Sequence, residues 1–192
     1  MGDYTHEQIQ VILGNHAMYL RGETGGVQAV FSGVDFTDAY IPDADLRNAE
    51  FYGCDFTDAY MPGCDFGGAT LAMCNLTSAI ARGARFRSAS VQYCNLTSAE
   101  LQGADFNDCD LANSNFTTAN CRGADFQGAV MTDANLTSSN CQGANFRDCN
   151  LTDADLTSAN IKDADMDGIN GTGITWSETF THGLHFRDAD ID

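Results

Sequence analysis

The feature that most constrains the fold of this chain is a five-residue repeat. An uncharged and mostly large apolar residue stands at every fifth position from Phe31 to Met166, which makes 28 positions that we call centres. The residue two places before each centre, here called the inner position, is Ala, Cys or Ser, except for Val34. A period of five fits neither a helix, at about 3.6 residues per turn, nor a strand, which alternates every two. The pattern predicts a chain that turns a corner every five residues, with one large and one small side chain pointing inward per side.

A second period of 20 residues shows how these corners close. The segments 34–39, 54–59 and 74–79 have nearly the same sequence, and so do 94–99 and 154–159. Glycines recur at the same spacing, as Gly63, Gly83, Gly103, Gly123 and Gly143. Four sides of five residues make one coil of 20, so the sequence predicts an all-β solenoid. Seven coils at about 4.8 Å each give a rod roughly 34 Å long. We number the sides by the centres of the first coil: Phe31 for side 1, Phe36 for side 2, Ile41 for side 3 and Leu46 for side 4.

The residue between the inner position and the centre is often Asp or Asn, as in Ala44-Asp45-Leu46 and Ala134-Asn135-Leu136. This motif resembles that of the pentapeptide-repeat family, over at least residues 29–168. The resemblance implies a right-handed quadrilateral parallel β-helix, and the handedness comes from the resemblance alone. The chain is similar both to the gyrase-interacting quinolone-resistance pentapeptide proteins and to phage-encoded pentapeptide proteins, some of which have a similar lead-in before their repeats.

The two ends of a solenoid need caps, because the core is otherwise open there. Residues 1–28 are predicted to form a lead-in with a short capping helix from Thr5 to Leu20, in which Thr5 and Gln8 make a capping box. This helix covers the first coil or, alternatively, binds a partner. Residues 29–168 form the regular solenoid, and 169–192 form a degenerate coil and C-terminal cap. There Trp176, Phe186 and Ile191 close the core or form a dimer contact. The resemblance to gyrase-binding members implies a homodimer through this end, although no clear C-terminal helix is visible.

All eight cysteines fall on inward-pointing positions, which favours core packing over chemistry. Two are centres and six are inner residues: Cys121 and Cys141, then Cys54, Cys64, Cys74, Cys94, Cys109 and Cys149. No Cys-x-x-Cys pair suggests zinc, and stacked parallel side chains are poorly oriented for disulfides. His182 and His185 near Glu178 and Asp188 supply too few ligands for a metal site. We therefore expect no metal, no cofactor and no disulfide.

The class of protein that we exclude is the enzyme. No nucleophile is accompanied by a base, and a solenoid filled with the side chains of Phe36, Phe56, Phe66, Phe86, Phe106, Phe126 and Phe146 offers no catalytic pocket. The sequence shows no secretory signal and no apolar stretch that could cross a bilayer, so we expect a cytoplasmic protein.

The chain is strongly acidic, with 27 Asp and Glu against 9 Lys and Arg and a formal net charge of −18. Within the repeats every basic residue falls on side 3 or side 4. Sides 1 and 2 carry only acidic or neutral residues, and the acidic ones are Asp35, Asp38, Glu50, Asp55, Asp58, Asp110, Asp133, Asp153 and Asp155. Such a surface repels nucleic acid and anionic membranes and attracts a protein partner with a basic surface, although net charge also serves solubility.

Three functions remain open at this stage. The acidic sides could mimic DNA and act on a type II topoisomerase such as DNA gyrase, as the resemblance implies. The flat sides could instead serve as docking surfaces of a structural or assembly component, of a phage or of a cell. A remote third function is ice binding by the regular column of threonines on side 2, from Thr37 to Thr157.

Overall fold

The computed structural model describes residues 5–191. The chain begins with the helix α1 (His6–Leu20), whose N-cap is Thr5. The Gln8 N–H donates to the Thr5 hydroxyl at 3.2 Å, and the Thr5 N–H donates to the Gln8 side-chain oxygen at 2.7 Å. This reciprocal pair satisfies two helix-terminal donors and confirms the predicted capping box. The helix ends where the Arg21 N–H bonds back to the Met18 carbonyl and Gly22 takes a left-handed φ of 68°.

The chain then winds into the predicted four-sided parallel β-helix, with successive coils paired in a register of 20 residues. Side 1 begins with three short strands, β1 (Val30–Ser32), β2 (Glu50–Tyr52) and β3 (Thr70–Ala72), which form a parallel sheet in that order. Elsewhere each side contributes a single bridging residue per coil, as in Tyr40 to Tyr60 and Asp45 to Asp65. The pairing continues through Asn170 and Asp190.

Every corner requires a left-handed residue two places after the centre. From Gly33 to Asp188 all residues at this position have φ between 53° and 75°. At most corners a backbone hydrogen bond closes the turn, as where the Ala39 N–H donates to the Phe36 carbonyl at 3.0 Å. Only Gly, and to a lesser degree Asn and Asp, adopts this conformation cheaply, which explains why glycines such as Gly63, Gly83 and Gly103 stand at this position.

The interior is filled by the centres and the inner residues. Of the centres from Phe31 to Met166, only Ile41 is not fully buried, and of the inner residues only Ala39 and Ala44 are not. On side 4 five phenylalanine rings stack along the axis with centroids 4.7–5.1 Å apart and planes within 5° of parallel: Phe66, Phe86, Phe106, Phe126 and Phe146. This spacing matches the rise of one coil, so backbone pairing and ring stacking reinforce each other.

Burial declines in the last coil although its backbone pairing persists. Trp176 is half-buried, with its ring centroid 5.9 Å from that of Phe186, while Phe180 is 65% exposed. The centre at 171 is a glycine and fills less of the interior than the residues before it. Among residues 5–191 no helix has the length and apolar character needed to cross a membrane.

Candidate functional site

The charge on the four sides is segregated. In the solenoid all ion pairs of the described residues lie on sides 3 and 4. The shortest are Arg87 to Asp105 at 2.6 Å and Arg47 to Asp45 at 2.8 Å. These exposed pairs contribute little stability individually, but they neutralise much of the acidity of their sides.

The nine acidic residues predicted on sides 1 and 2 form columns along the rod rather than one cluster. On side 2 Asp35 bridges to Asp55, and the corner residues Asp38 and Asp58 stack one coil apart through the bond from the Asp38 N–H to the Thr57 carbonyl. On side 1 Asp133 and Asp153 stack in the same way. The remaining three have no acidic residue paired with them one coil away: Glu50, Asp110 and Asp155. None of the nine forms an ion pair with any described residue.

The middle of side 2 is an uncharged ladder of Asn and Thr. The Thr77 hydroxyl donates to the Asn75 side-chain oxygen at 2.6 Å, and the Asn75 amide donates to the Thr57 hydroxyl at 2.8 Å. The same pair of bonds recurs one coil later, from Thr97 and Asn95. Sequence reasoning noted the threonine column but missed this network. The signal for it was the Asn that stands two residues before Thr77, Thr97, Thr117 and Thr137.

The cysteines are buried and free of disulfides. Burial raises the pKa of Cys64 to about 11 and that of Cys149 to about 12. The Cys94 sulfur lies 2.8 Å from the Leu71 carbonyl oxygen of the preceding coil. Cys64 and Cys149 are therefore protonated at neutral pH, and the buried cysteines act as packing groups. No group of three or more metal-ligating side chains is found in residues 5–191.

The sequence did not predict a cleft of about 330 Å³ between α1 and the first coil. The buried His16 of α1 accepts the Ala29 N–H at 3.1 Å, which holds the helix against the start of side 1. The core is less well covered at Ala39, Ile41 and Ala44, which are only partly buried. The apolar part of the cleft is formed by Ile9, Leu13, Phe36, Ile41 and Ala44, and its rim includes Gln10, Asp35, Thr37 and Tyr40.

The coil geometry and filled core define a four-sided β-solenoid protein that presents flat outer sides. A family model described as a pentapeptide repeat region matches residues 34–116 and 99–176. The chain belongs to the pentapeptide-repeat family.

Several solved structures are similar to this chain, whereas no curated protein sequence matches it. One is HetL, a pentapeptide repeat protein involved in heterocyst differentiation regulation from the cyanobacterium Nostoc sp. strain PCC 7120. It has 18% identity and a TM-score of 0.40, and the match covers 99% of this chain and 95% of HetL. Another is a trypsin-treated form of QnrB1, a plasmid-mediated fluoroquinolone resistance protein, with 18% identity and a TM-score of 0.49 over 86% of this chain and 90% of QnrB1.

Proposed function

We propose that the protein is a non-enzymatic binding rod whose sides 1 and 2 contact a basic protein surface in the manner of duplex DNA. The observation that carries this proposal is the segregation of charge. From residue 30 to residue 190 these two sides hold eleven acidic residues and no basic one. Carboxylates one coil apart, as at Asp38 and Asp58, are within a Debye length of about 8 Å at physiological salt, so their potentials add. A complementary basic partner therefore gains both association rate and specificity.

The first candidate partner is a type II topoisomerase such as DNA gyrase, which holds duplex DNA on a basic surface. The charge-bearing rod and the resemblance of its repeat to gyrase-interacting pentapeptide proteins support this candidate. A supercoiling assay tests it. Inhibition or protection of gyrase at micromolar protein is the expected result, and unchanged gyrase activity over that range contradicts the proposal.

Two variants that lose the same number of charges, but on different sides, test whether the effect on gyrase depends on sides 1 and 2 or on net charge alone. Replacing Asp38, Asp58, Asp133 and Asp153 by Asn removes four charges from sides 1 and 2, and replacing Asp108, Asp148, Asp163 and Asp188 removes four from sides 3 and 4. All eight residues are left-handed corners, with φ between 53° and 58°, and Asn tolerates this conformation as well as Asp does. Only the first variant should lose its effect on gyrase. Equal loss in both would mean that net charge alone acts.

A structural or assembly role, in a cell or a phage particle, is the second candidate. The flat, uncharged ladder of Asn75, Asn95 and the neighbouring threonines favours it, because a regular neutral side can dock without the cost of burying charge. A stoichiometric place in an isolated particle is the expected observation, and a freely diffusing monomer with no co-purifying partner contradicts it. Ice binding is less favoured, because hydroxyls such as that of Thr77 are already bonded within the ladder, and zero thermal hysteresis is expected.

We also infer a homodimer through the C-terminal end. The half-buried Trp176, Leu184 and Ile191 and the more exposed Phe186 form an apolar cross-section of the last coil that a second copy would cover. Sedimentation equilibrium of the Phe186→Lys variant tests this. The control is Phe180→Lys, because Phe180 is exposed on side 3 rather than in the cross-section. Dissociation of Phe186→Lys alone is expected. A monomeric parent protein, or a Phe186→Lys variant that stays dimeric, contradicts the inference.

A further inference from the structure

The cleft between α1 and the first coil combines three features that together select its occupant. Its floor is apolar, formed by Leu13 and Ile41 with their neighbours, its rim carries the carboxylate of Asp35, and one wall is the ring of Tyr40. An occupant that satisfies all three has an apolar stem and a cationic end.

Among residues 5–191, one face of the Tyr40 ring has no aromatic partner. Its ring stacks on that of Tyr60 with centroids 5.2 Å apart and planes within 2° of parallel. Tyr60 belongs to the second coil, so the opposite face of the Tyr40 ring points toward the N-terminal end of the rod, where the cleft lies. Tyr40 is 74% exposed, the largest exposed fraction among the apolar and aromatic side chains of the described residues. A planar guanidinium can continue this stack, because Arg packs on aromatic faces by cation–π attraction.

The electrostatic surroundings favour a cation. Residues 31–70, which form the first two coils, contain eight acidic residues and a single basic one, Arg47. Arg47 is held by Asp45 on side 4. Asp35 accepts the Thr37 N–H at 2.9 Å through one carboxylate oxygen and pairs with no cation among residues 5–191. Its carboxylate is therefore available to an incoming guanidinium.

The main chain at this corner also lacks a partner. In later coils the equivalent N–H bonds back to the preceding coil, as the Tyr60 N–H does to the Ala39 carbonyl at 2.8 Å. The Tyr40 N–H has no acceptor in the described part of the chain. It can donate to a main-chain carbonyl of an extended segment that lies along the edge of the coil.

From these observations we propose that the cleft binds an arginine side chain from an extended segment of a protein partner. The guanidinium stacks on Tyr40 and pairs with Asp35, while the aliphatic stem lies on Leu13 and Ile41. This site shares Asp35 with side 2 but is defined by the cleft at the N-terminal end of the rod, and it requires neither DNA mimicry nor a topoisomerase.

The test is a nuclear magnetic resonance titration of the full chain with two acetylated, amidated peptides, Gly-Gly-Arg-Gly-Gly and Gly-Gly-Lys-Gly-Gly, at one fixed salt concentration. The peptides carry the same charge, so a difference between them reports the planar guanidinium rather than acidity. We expect the arginine peptide to bind about threefold to tenfold more tightly, with shifts at the amides of Asp35, Thr37 and Tyr40.

Four variants sharpen the test. Tyr40→Ala should abolish the preference for arginine, and Tyr40→Phe should keep it, because the ring remains. Asp35→Asn should weaken binding of both peptides. The control, Tyr93→Ala, removes another exposed tyrosine, on side 1, and should change nothing. Because the Tyr40 side chain is exposed, its removal should leave the thermal midpoint close to that of the parent.

The proposal is overturned by equal binding of the two peptides, by no binding of either, or by a preference for arginine that survives Tyr40→Ala. Shifts that spread along the later coils of sides 1 and 2 without any at Tyr40 also overturn it, since they would report general attraction to acidic residues. None of these outcomes affects the gyrase assay, whose variants leave Asp35 and Tyr40 intact.

Discussion

The ring of Phe86 lies on that of Phe106 with centroids 4.7 Å apart and planes 5° from parallel, and both side chains are fully buried. Phe106 also stacks on Phe126 at 5.1 Å, so its removal leaves a gap in the middle of the side 4 stack. We expect Phe106→Ala to lower the free energy of unfolding by about 3–5 kcal/mol, because neighbouring coils cannot collapse without breaking their pairing. The measurement is the midpoint of urea unfolding.

The control for this prediction is Phe180→Ala. Phe180 is 65% exposed and should contribute less than about 0.5 kcal/mol. Similar losses for the two variants would show that the phenylalanine stack does not hold the rod together.

The corner residue Met73 should be a point of backbone strain. It is 70% exposed and has a φ of 56°, which costs a side chain with a Cβ roughly 1–2 kcal/mol. Met73→Gly is therefore expected to raise the free energy of unfolding by about 1 kcal/mol, measured by urea denaturation. The reverse change one coil earlier, Gly53→Ala, should lower it by a similar amount, since Gly53 has a φ of 57° and open space around it. A destabilised Met73→Gly would contradict this account of the corners.

The docking of α1 should weaken in mild acid because of His16. Burial lowers the pKa of this imidazole below its ordinary value of about 6.5, and its Nδ1 must be unprotonated to accept the Ala29 N–H. The unfolded state thus binds a proton more readily than the folded state, so this contribution to stability is complete above about pH 6.5. It is lost as the pH falls from there toward the lowered pKa.

Hydrogen exchange of the Ala29 amide checks this expectation. Protection, corrected for the intrinsic exchange rate, should fall between pH 7.5 and 5.5 in the parent protein. In His16→Leu it should be low and independent of pH. Protection in the parent that stays constant over this range would contradict a role for His16 in docking the helix.

The thiols should be unreactive in the folded protein. Burial raises the pKa of Cys64 to about 11 and of Cys149 to about 12, and thiol reagents attack the thiolate. With Ellman's reagent we expect no rapid reaction at pH 8 and full reaction of all eight cysteines in denaturant. Rapid reaction of even one thiol in the folded state would indicate a coil that opens.

The solenoid could be predicted from the sequence because the five-residue pattern that specifies it is local in the chain. Each centre, such as Phe86, is followed two residues later by a corner residue, and the register of 20 follows from four such corners. The capping box of Thr5 and Gln8 was predictable for the same reason. The cleft was not, because it depends on where α1 lies on the first coil, and that is decided by long-range contacts such as that of His16 with Ala29. The stack of Tyr40 on Tyr60 was implicit in the 20-residue spacing, but the direction of its other face toward the cleft required the position of the helix.

The central functional claim is that the carboxylates of sides 1 and 2 occupy a surface that otherwise holds DNA. Displacement of a fluorescent duplex from DNA gyrase, followed by anisotropy at about 0.15 M salt, tests it most directly. We predict displacement by the parent protein and by the Asn variant of Asp108, Asp148, Asp163 and Asp188. The Asn variant of Asp38, Asp58, Asp133 and Asp153 should be roughly tenfold weaker, at a few tenths of a kcal/mol per exposed carboxylate. A duplex that stays bound at micromolar parent protein, or equal weakening in both variants, would contradict the claim.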